Sequence, residues 1–480
     1  MNPALRLCRR WMGLCLLIGM AAPLGASTYY VDASAANDSG NGTIAQPKKF
    51  IHSGAALMSS LGGDTLLIAP GTYAGSSNAI DGLVAGKAGA WNVIKAQTDG
   101  SVTITAALDL PLGDHYLQFE GLTWDYADQK TVHGRYVKLL RCAFRGGSPT
   151  GNSVGLAIGT NDATPGAQYV LVEDAYSYGP GGRYNVLVYN ADKIVLRRVV
   201  ARHEDGWSDV QGNPQANVSL YNATDVVTEN LLLLDSHPSG YYEAALYHPS
   251  NGPAGFHIRD LGAIILNIGG NGVGWDGGTP ASADQLEDAI VWNTSYAVST
   301  NGSAHAGTMN HLTVWQSSLA GINDWNSGGN FSVTNSLLWS IGGSNFSSVN
   351  HSNNVCFSPA CSGETSLNPP LSGLKYLPRI EAGSALSTAG ASGGRVGADV
   401  TRRIGVSGTL YGEAGYDTLT NEALWPWPNE AAIKQAMCAN AGVTTGFCAA
   451  PTLTRYVWEM LGNPIPAEIY GDVIFANGFQ

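Results

Sequence analysis

The sequence predicts an all-β chain folded as a right-handed parallel β-helix, a solenoid closed by an N-terminal helical cap and a small C-terminal lid that contains helices. Between Tyr116 and Trp339 one phrase keeps returning: an alternating apolar strand meets a charged or amide residue and continues as a second apolar strand. It reads Tyr136-Val137-Lys138-Leu139-Leu140-Arg141-Cys142, then Tyr169 to Ala175, Lys193 to Val199 and Asp225 to Leu231. Its copies start roughly 20 to 33 residues apart, the period of a repeat array. No copy carries enough apolar surface to fold alone, so copies must stack and bury one continuous core. With 61 Gly and 13% charged residues, the composition suits many tight turns between short strands. Long helices are not expected.

The elements follow in chain order. Residues 1–26 read as an export signal: Arg6, Arg9 and Arg10 precede an apolar run from Trp11 to Ala22, and Gly25, Ala26 and Ser27 supply the small residues of a cleavage site. A buried first helix is the competing reading. The run is too short to span a membrane comfortably, so the mature chain is expected to be secreted, extracellular or periplasmic, without a membrane span. Cys8 and Cys15 leave with the signal. Cys356 and Cys361 flank a Pro-containing loop and Cys438 and Cys448 a Gly-rich one, so two local disulfides are expected in an oxidising compartment, with Cys142 left as a small core residue.

The solenoid is assigned to residues 27–400. Its first part contains Tyr29-Tyr30-Val31-Asp32, Asp38, Gly42-Thr43 and Pro47, and then Gly63-Asp64-Thr65-Leu66-Leu67-Ile68-Ala69-Pro70-Gly71-Thr72-Tyr73. This text resembles the opening coil of the pectin lyase-like right-handed parallel β-helix superfamily. The resemblance implies a short amphipathic helix, here about Pro47 to Ser60, that plugs the open end. Such a plug is physically needed, because an uncapped solenoid exposes core and unpaired strand edge. Gly383-Ser384-Ala385-Leu386 and Arg395-Val396-Gly397-Ala398-Asp399 resemble the phrase that closes the last coil in secreted members. Carbohydrate chemistry is common in the superfamily, so the resemblance implies a polysaccharide partner.

Residues 401–480 form the lid. Leu424-Trp425-Pro426-Trp427-Pro428 should run as an extended strap, with helices expected after Asn429 and from Thr452 to Leu461. Trp425, Trp427, Tyr456 and Trp458 are expected to pack on the last coil, with sugar stacking as the alternative. The final Asp472 to Phe479 resembles a short tail on exported proteins of some Gram-negative bacteria.

Overlaying the phrases places Arg145, Tyr178 and Arg202 in successive coils, about 4.8 Å apart per step. Guanidinium forks so arranged suit the carboxylates of an acidic polysaccharide. The run from Arg197 to Asp209 is the densest ionisable stretch. Two chemistries fit it. In lyase-type β-elimination, Arg202, Arg198 or Lys193 neutralises the developing enediolate and His203 acts as base; in hydrolysis, paired carboxylates flank the scissile bond. A structural ion-pair ladder is the third reading. Arg145, Tyr178, Trp207, Tyr241 and Tyr242 are the expected sugar contacts. The second class of function is a non-catalytic surface or matrix rod that binds glycan or serves structure alone.

No cofactor is expected to be required. Calcium is admitted through Asp174, Asp205 and Asp209, since oxygen clusters at turns suit that ion. Gly269 to Asp276 partly matches a calcium-binding nonapeptide, but Gly274 stands where Asp is needed. A net charge of -12 with dispersed Lys and Arg argues against nucleic acid.

Overall fold

The computed structural model describes residues 25–147, 154–159, 166–179, 183–202, 215–235, 242–249, 257–276, 284–300, 306–325, 330–439 and 445–470. The signal-like stretch through residue 24 and the tail from 471 lie outside them. Each middle coil has three strands. The first strands, among them His115–Glu120, Arg135–Leu140, Gln168–Glu173, Asp192–Arg197 and Thr224–Glu229, form one 13-stranded sheet. Second strands such as Ala143–Arg145, Tyr176–Tyr178, Val200–Arg202 and Leu232–Leu234, and third strands such as Val154–Gly159, Tyr184–Tyr189 and Gln215–Tyr221, share a 20-stranded sheet. Successive coils pair parallel and in register: Leu117, Val137, Val170, Ile194, Val226 and Ile258 form one inward column. The chain is therefore a parallel β-helix, the fold implied by its opening coil.

Every return of the sequence phrase corresponds to one corner between first and second strands. Arg141, Asp174, Arg198, Asn230, Asp288, His311, Asn335 and Asn353 occupy that corner with φ between 49° and 58°. Left-handed backbone favours Asn, Asp and Gly, which explains why a polar residue interrupts the apolar run. Arg141 and Arg198 carry a steric cost there, and both are held by ion pairs: Arg141 Nε lies 2.6 Å from Asp99 and Arg198 Nε 2.6 Å from Asp174.

At the N-terminal end a helix spans Ile51–Ala55, shorter than the expected stretch. Its free N-terminal amides are met by side chains. Asp38 Oδ1 accepts from Lys49 and Phe50, and Asn78 Oδ1 accepts from Ile51 at 3.0 Å. Asp64 of the Gly-Asp-Thr phrase accepts from Ser27 at 2.8 Å and from Ser59 at 2.6 Å, tying both ends of this region together. Gly54 sits so close to the first coils that a Cβ would stand 2.4 Å from Val31 Cγ2. Among the described residues, no helix is long and apolar enough to cross a membrane.

Both disulfides are present, Cys356–Cys361 and Cys438–Cys448, and Cys142 is free and buried, its thiol pushed up to about 12 by burial. The lid differs from expectation. On the final coils Leu374, Leu386 and Val396 pack against Leu337 and Val355, and Leu461 is the lid residue that joins them. The chain then runs back along the rod, and Trp425, Trp427, Ile433, Met437, Phe447, Val457 and Trp458 bury against Val200, Leu232, Leu234, Ile264 and Leu266 of the middle coils. The reason lies in the second strands, which are apolar on their outward as well as their inward faces and need a cover.

Asp114, 4% exposed, gives a pH-dependent test. Burial pushes its carboxyl up to about 6, although the Leu83 N–H donates to it. The folded chain then holds this proton over a pH range, from about 4 to 6, in which the unfolded chain has released it. This group therefore contributes less stability as pH rises through that window. Asp114→Asn keeps an acceptor for Leu83 and removes the titration. Its melting temperature relative to the parent is expected to climb by a few degrees between pH 4 and pH 7, measured by calorimetry, and a flat difference contradicts the assignment.

Candidate functional site

Arg145 and Tyr178 are register partners, and the pairing of Ser177 with Ala201 brings Arg202 to the next step. The wider cluster does not converge. Lys193 and Arg198 lie at opposite ends of one first strand, roughly 16 Å apart at about 3.3 Å per residue. Arg202 lies beyond the corner on another face. Lys193 is partly exposed, 2.5 Å from Asp192 and 3.4 Å from Asp225. Those carboxylates raise its pKa even though burial opposes them.

Arg198 and Arg202 correct the expectation of groove-facing cations. The Arg198 side chain is 0% exposed, bonded to Asp174 and to Glu173 at 2.7 Å. Arg202 is 2% exposed, with its Nε 3.1 Å from Asp235 and another guanidinium nitrogen donating to the Met437 carbonyl at 3.2 Å. Asp235 also accepts from Phe447 N at 3.0 Å. Tyr178 is buried beneath the same lid, and Arg145 pairs with Asp125 at 2.8 Å. Physically, the apolar second-strand face draws the lid over itself, and the guanidiniums within that face are matched by carboxylates as the water leaves.

Beside Arg198 the backbone of residues 405–418 crosses the first strands. Arg197, 0% exposed, bonds Glu229, Glu173 at 3.0 Å, the Val406 carbonyl at 2.9 Å and the Tyr416 carbonyl at 2.7 Å. Gly405 has φ +77°, and a Cβ there would meet Arg197 Nε at 2.2 Å. Burial opposes ionisation of Glu173, yet Arg198, Arg197 and the Gly408 amide hold it below its usual range. For Glu229 burial wins, pushing it up to about 7.

His203, Asp205, Trp207, Asp209 and Tyr241 lie outside the described residues, as does the side chain of Tyr242. Of the expected calcium ligands only Asp174 is described, and both its oxygens face the Arg198 guanidinium at 2.6 and 3.3 Å. That pairing does not suit a cation ligand. Among the described residues no group of three His, Cys, Asp or Glu could hold a metal ion.

The sequence reading missed two arrangements. Inside the solenoid Asp260, 0% exposed, accepts from Thr228 Oγ1 at 2.7 Å and lies 3.2 Å from His248 Nε2. On the outer face of later second strands, Trp292, Trp315 and Trp339 fall in register. Trp315 and Trp339 stack at 5.0 Å and 10°, and Trp292 lies 5.7 Å from Trp315. The available signal was the Trp that ends the phrase in three successive coils. A cleft of about 560 Å³ opens over Trp315 and Trp339, walled by Leu374-Lys375 and Met460-Leu461 and reached by Asn463.

No family model matches the sequence, and no curated protein sequence matches it. Among solved structures, pectate lyase Pel9A is similar, with 16% identity and a TM-score of 0.44 over 76% of this chain and 92% of that one. Alginate lyase from Paenibacillus sp. str. FPU-7 gives 13% and 0.40 over 64% and 97%. The PL6 family polysaccharide lyase Pedsa3628 from Pseudopedobacter saltans gives 10% and 0.44 over 71% and 87%.

Proposed function

We propose that the protein is an exported parallel β-helix that binds acidic polysaccharide without cleaving it. Export is supported by the signal-like residues 1–26 and by two disulfides, which persist in oxidising compartments. A polysaccharide partner is supported by the long rod and by aromatic rings in register on its surface.

One observation favours binding over elimination. An enediolate needs cations free to meet new negative charge, and Arg198 and Arg202 are already matched by Glu173, Asp174 and Asp235 and closed from solvent. In this reading the pair anchors the C-terminal segment. Calcium has no part in it.

The test uses polygalacturonate, alginate and a neutral glucan. Affinity electrophoresis is expected to show retardation by the two uronate polymers, with no rise in absorbance from an unsaturated product. Arg202→Ala is expected to lower the melting temperature and leave retardation unchanged. Appearance of unsaturated product that disappears in Arg202→Ala restores the elimination reading. Absence of retardation by either uronate polymer refutes polysaccharide binding.

A further inference from the structure

Building on the binding reading, we infer that the cleft over Trp315 and Trp339 is a uronate subsite, in which a sugar ring packs against the indole edges and its carboxylate meets Lys375. Three features carry this assignment. Trp315 and Trp339 are half-buried and stack on one another with parallel rings, so the pair presents a row of indole edges to the cleft, held by the strand register rather than by flexible loops. Indole edges carry the positive end of the ring quadrupole together with the N–H, which suits sugar oxygens and a carboxylate, and large rigid aromatics contribute contact at small entropic cost. The volume of about 560 Å³ lies within the range of roughly 300–1,000 Å³ usual for small-ligand sites.

The charges around the floor select the sugar class. Glu381 lies at the rim, but Arg379 Nε stands 3.0 Å from it, and Arg379 also reaches Glu468 at 3.1 Å. Lys375 forms no ion pair among the described residues, although its charge helps hold the Glu468 carboxyl below its usual range; its ammonium lies 5.2 Å from the Tyr376 ring centre. The indole N–H groups of Trp315 and Trp339 have no acceptor among those residues either, whereas Trp292 donates to Gln316 at 2.7 Å. Asn463 donates to the Lys375 carbonyl at 2.8 Å, leaving its amide oxygen as an acceptor. The cleft thus offers one cation outside any ion pair, spare N–H donors and an acceptor. A hydroxylated ring bearing a carboxylate complements all three, whereas a neutral sugar leaves the ammonium without a counter-charge.

The experiment titrates the full-length protein, processed by export, with trigalacturonate, trimannuronate and cellotriose, reading tryptophan fluorescence and heat of binding. At least one uronate trimer is expected to shift the fluorescence and bind with an affinity that falls as salt rises, while cellotriose binds at least tenfold more weakly. Trp339→Ala is expected to weaken uronate binding at least tenfold, Trp339→Phe less. Lys375→Gln should remove most of the salt dependence, and Lys375→Arg should keep it. Melting curves identify any variant that fails to fold, and Lys375→Gln, at the rim, then serves alone. If the parent binds a uronate trimer and both Trp339→Ala and Lys375→Gln bind it equally well, the subsite assignment is wrong while polysaccharide binding stands. If the parent binds neither trimer and neither uronate polymer, both fall. Equal affinity for cellotriose overturns the role of Lys375.

Discussion

Arg197→Met is expected to destabilise the protein by about 3–5 kcal/mol, the usual cost of removing one partner from a buried charge network. Arg197 is the point at which three strands of the first sheet and the returning segment meet. It neutralises Glu173 on one coil and Glu229 on the next, and donates to carbonyls of Val406 and Tyr416. Methionine fills much of the stem's volume but leaves both carboxylates without this cation in a place water does not reach. Glu229, already pushed up to about 7 by burial, then takes up a proton near neutral pH. Residues 405–418 lose their principal anchor. Denaturant melting should show the loss, and limited proteolysis should cut between 405 and 418 before the rod unfolds. Adding Glu229→Gln to Arg197→Met should recover part of the stability, because it removes one orphaned charge. A melting transition shifted by less than about 1 kcal/mol would place the anchor elsewhere.

Ile51→Asp is expected to be the other severe change. Ile51 is 0% exposed at the first turn of the short helix Ile51–Ala55, which is expected to cover the N-terminal end of the core. A carboxylate there has no cation within the apolar column, and burying an unpaired charge costs several kcal/mol. Displacing the helix instead uncovers Val31 and Leu66 together with the edge of the first coil, a template for pairing with another chain. Either route leads to association of molecules end to end. Light scattering of Ile51→Asp should therefore report aggregates at temperatures where the parent is monodisperse, and Ile51→Val should behave as the parent. A soluble Ile51→Asp with unchanged melting refutes the plugging role of this helix.

Much of this architecture was written locally. An apolar alternation with a polar interruption encodes strand, left-handed corner and strand, because the side-chain period is two and Asn, Asp and Gly tolerate the corner. Arg141, Asp174, Arg198 and Asn230 mark those corners as clearly in the sequence as in the structure. Cys356 with Cys361 and Cys438 with Cys448 were legible for a similar reason, as each pair closes a short loop. The register of Arg145 with Tyr178 followed from laying one phrase over another.

The path of the C-terminal segment was not local. Nothing in Trp425, Trp427 or Trp458 states which coil they cover, because burial of apolar area is non-directional and depends on which face is left open. The open face belongs to strands more than 150 residues earlier, and only the stacked coils assemble it: Arg202 meets Met437 across a separation of 235 residues. That meeting closes Arg202 from solvent, as residues 405–418 do for Arg198, and the change depends on desolvation and partners rather than on residue type. The Trp292, Trp315 and Trp339 column was visible as a repeat, but the cleft above it exists only because Met460-Leu461 of the returning segment faces Leu374-Lys375 across it. Sequence alone determined the coil, its corners and its disulfides. Tertiary structure decided which charges meet solvent, because exposure is a property of what folds back over a surface.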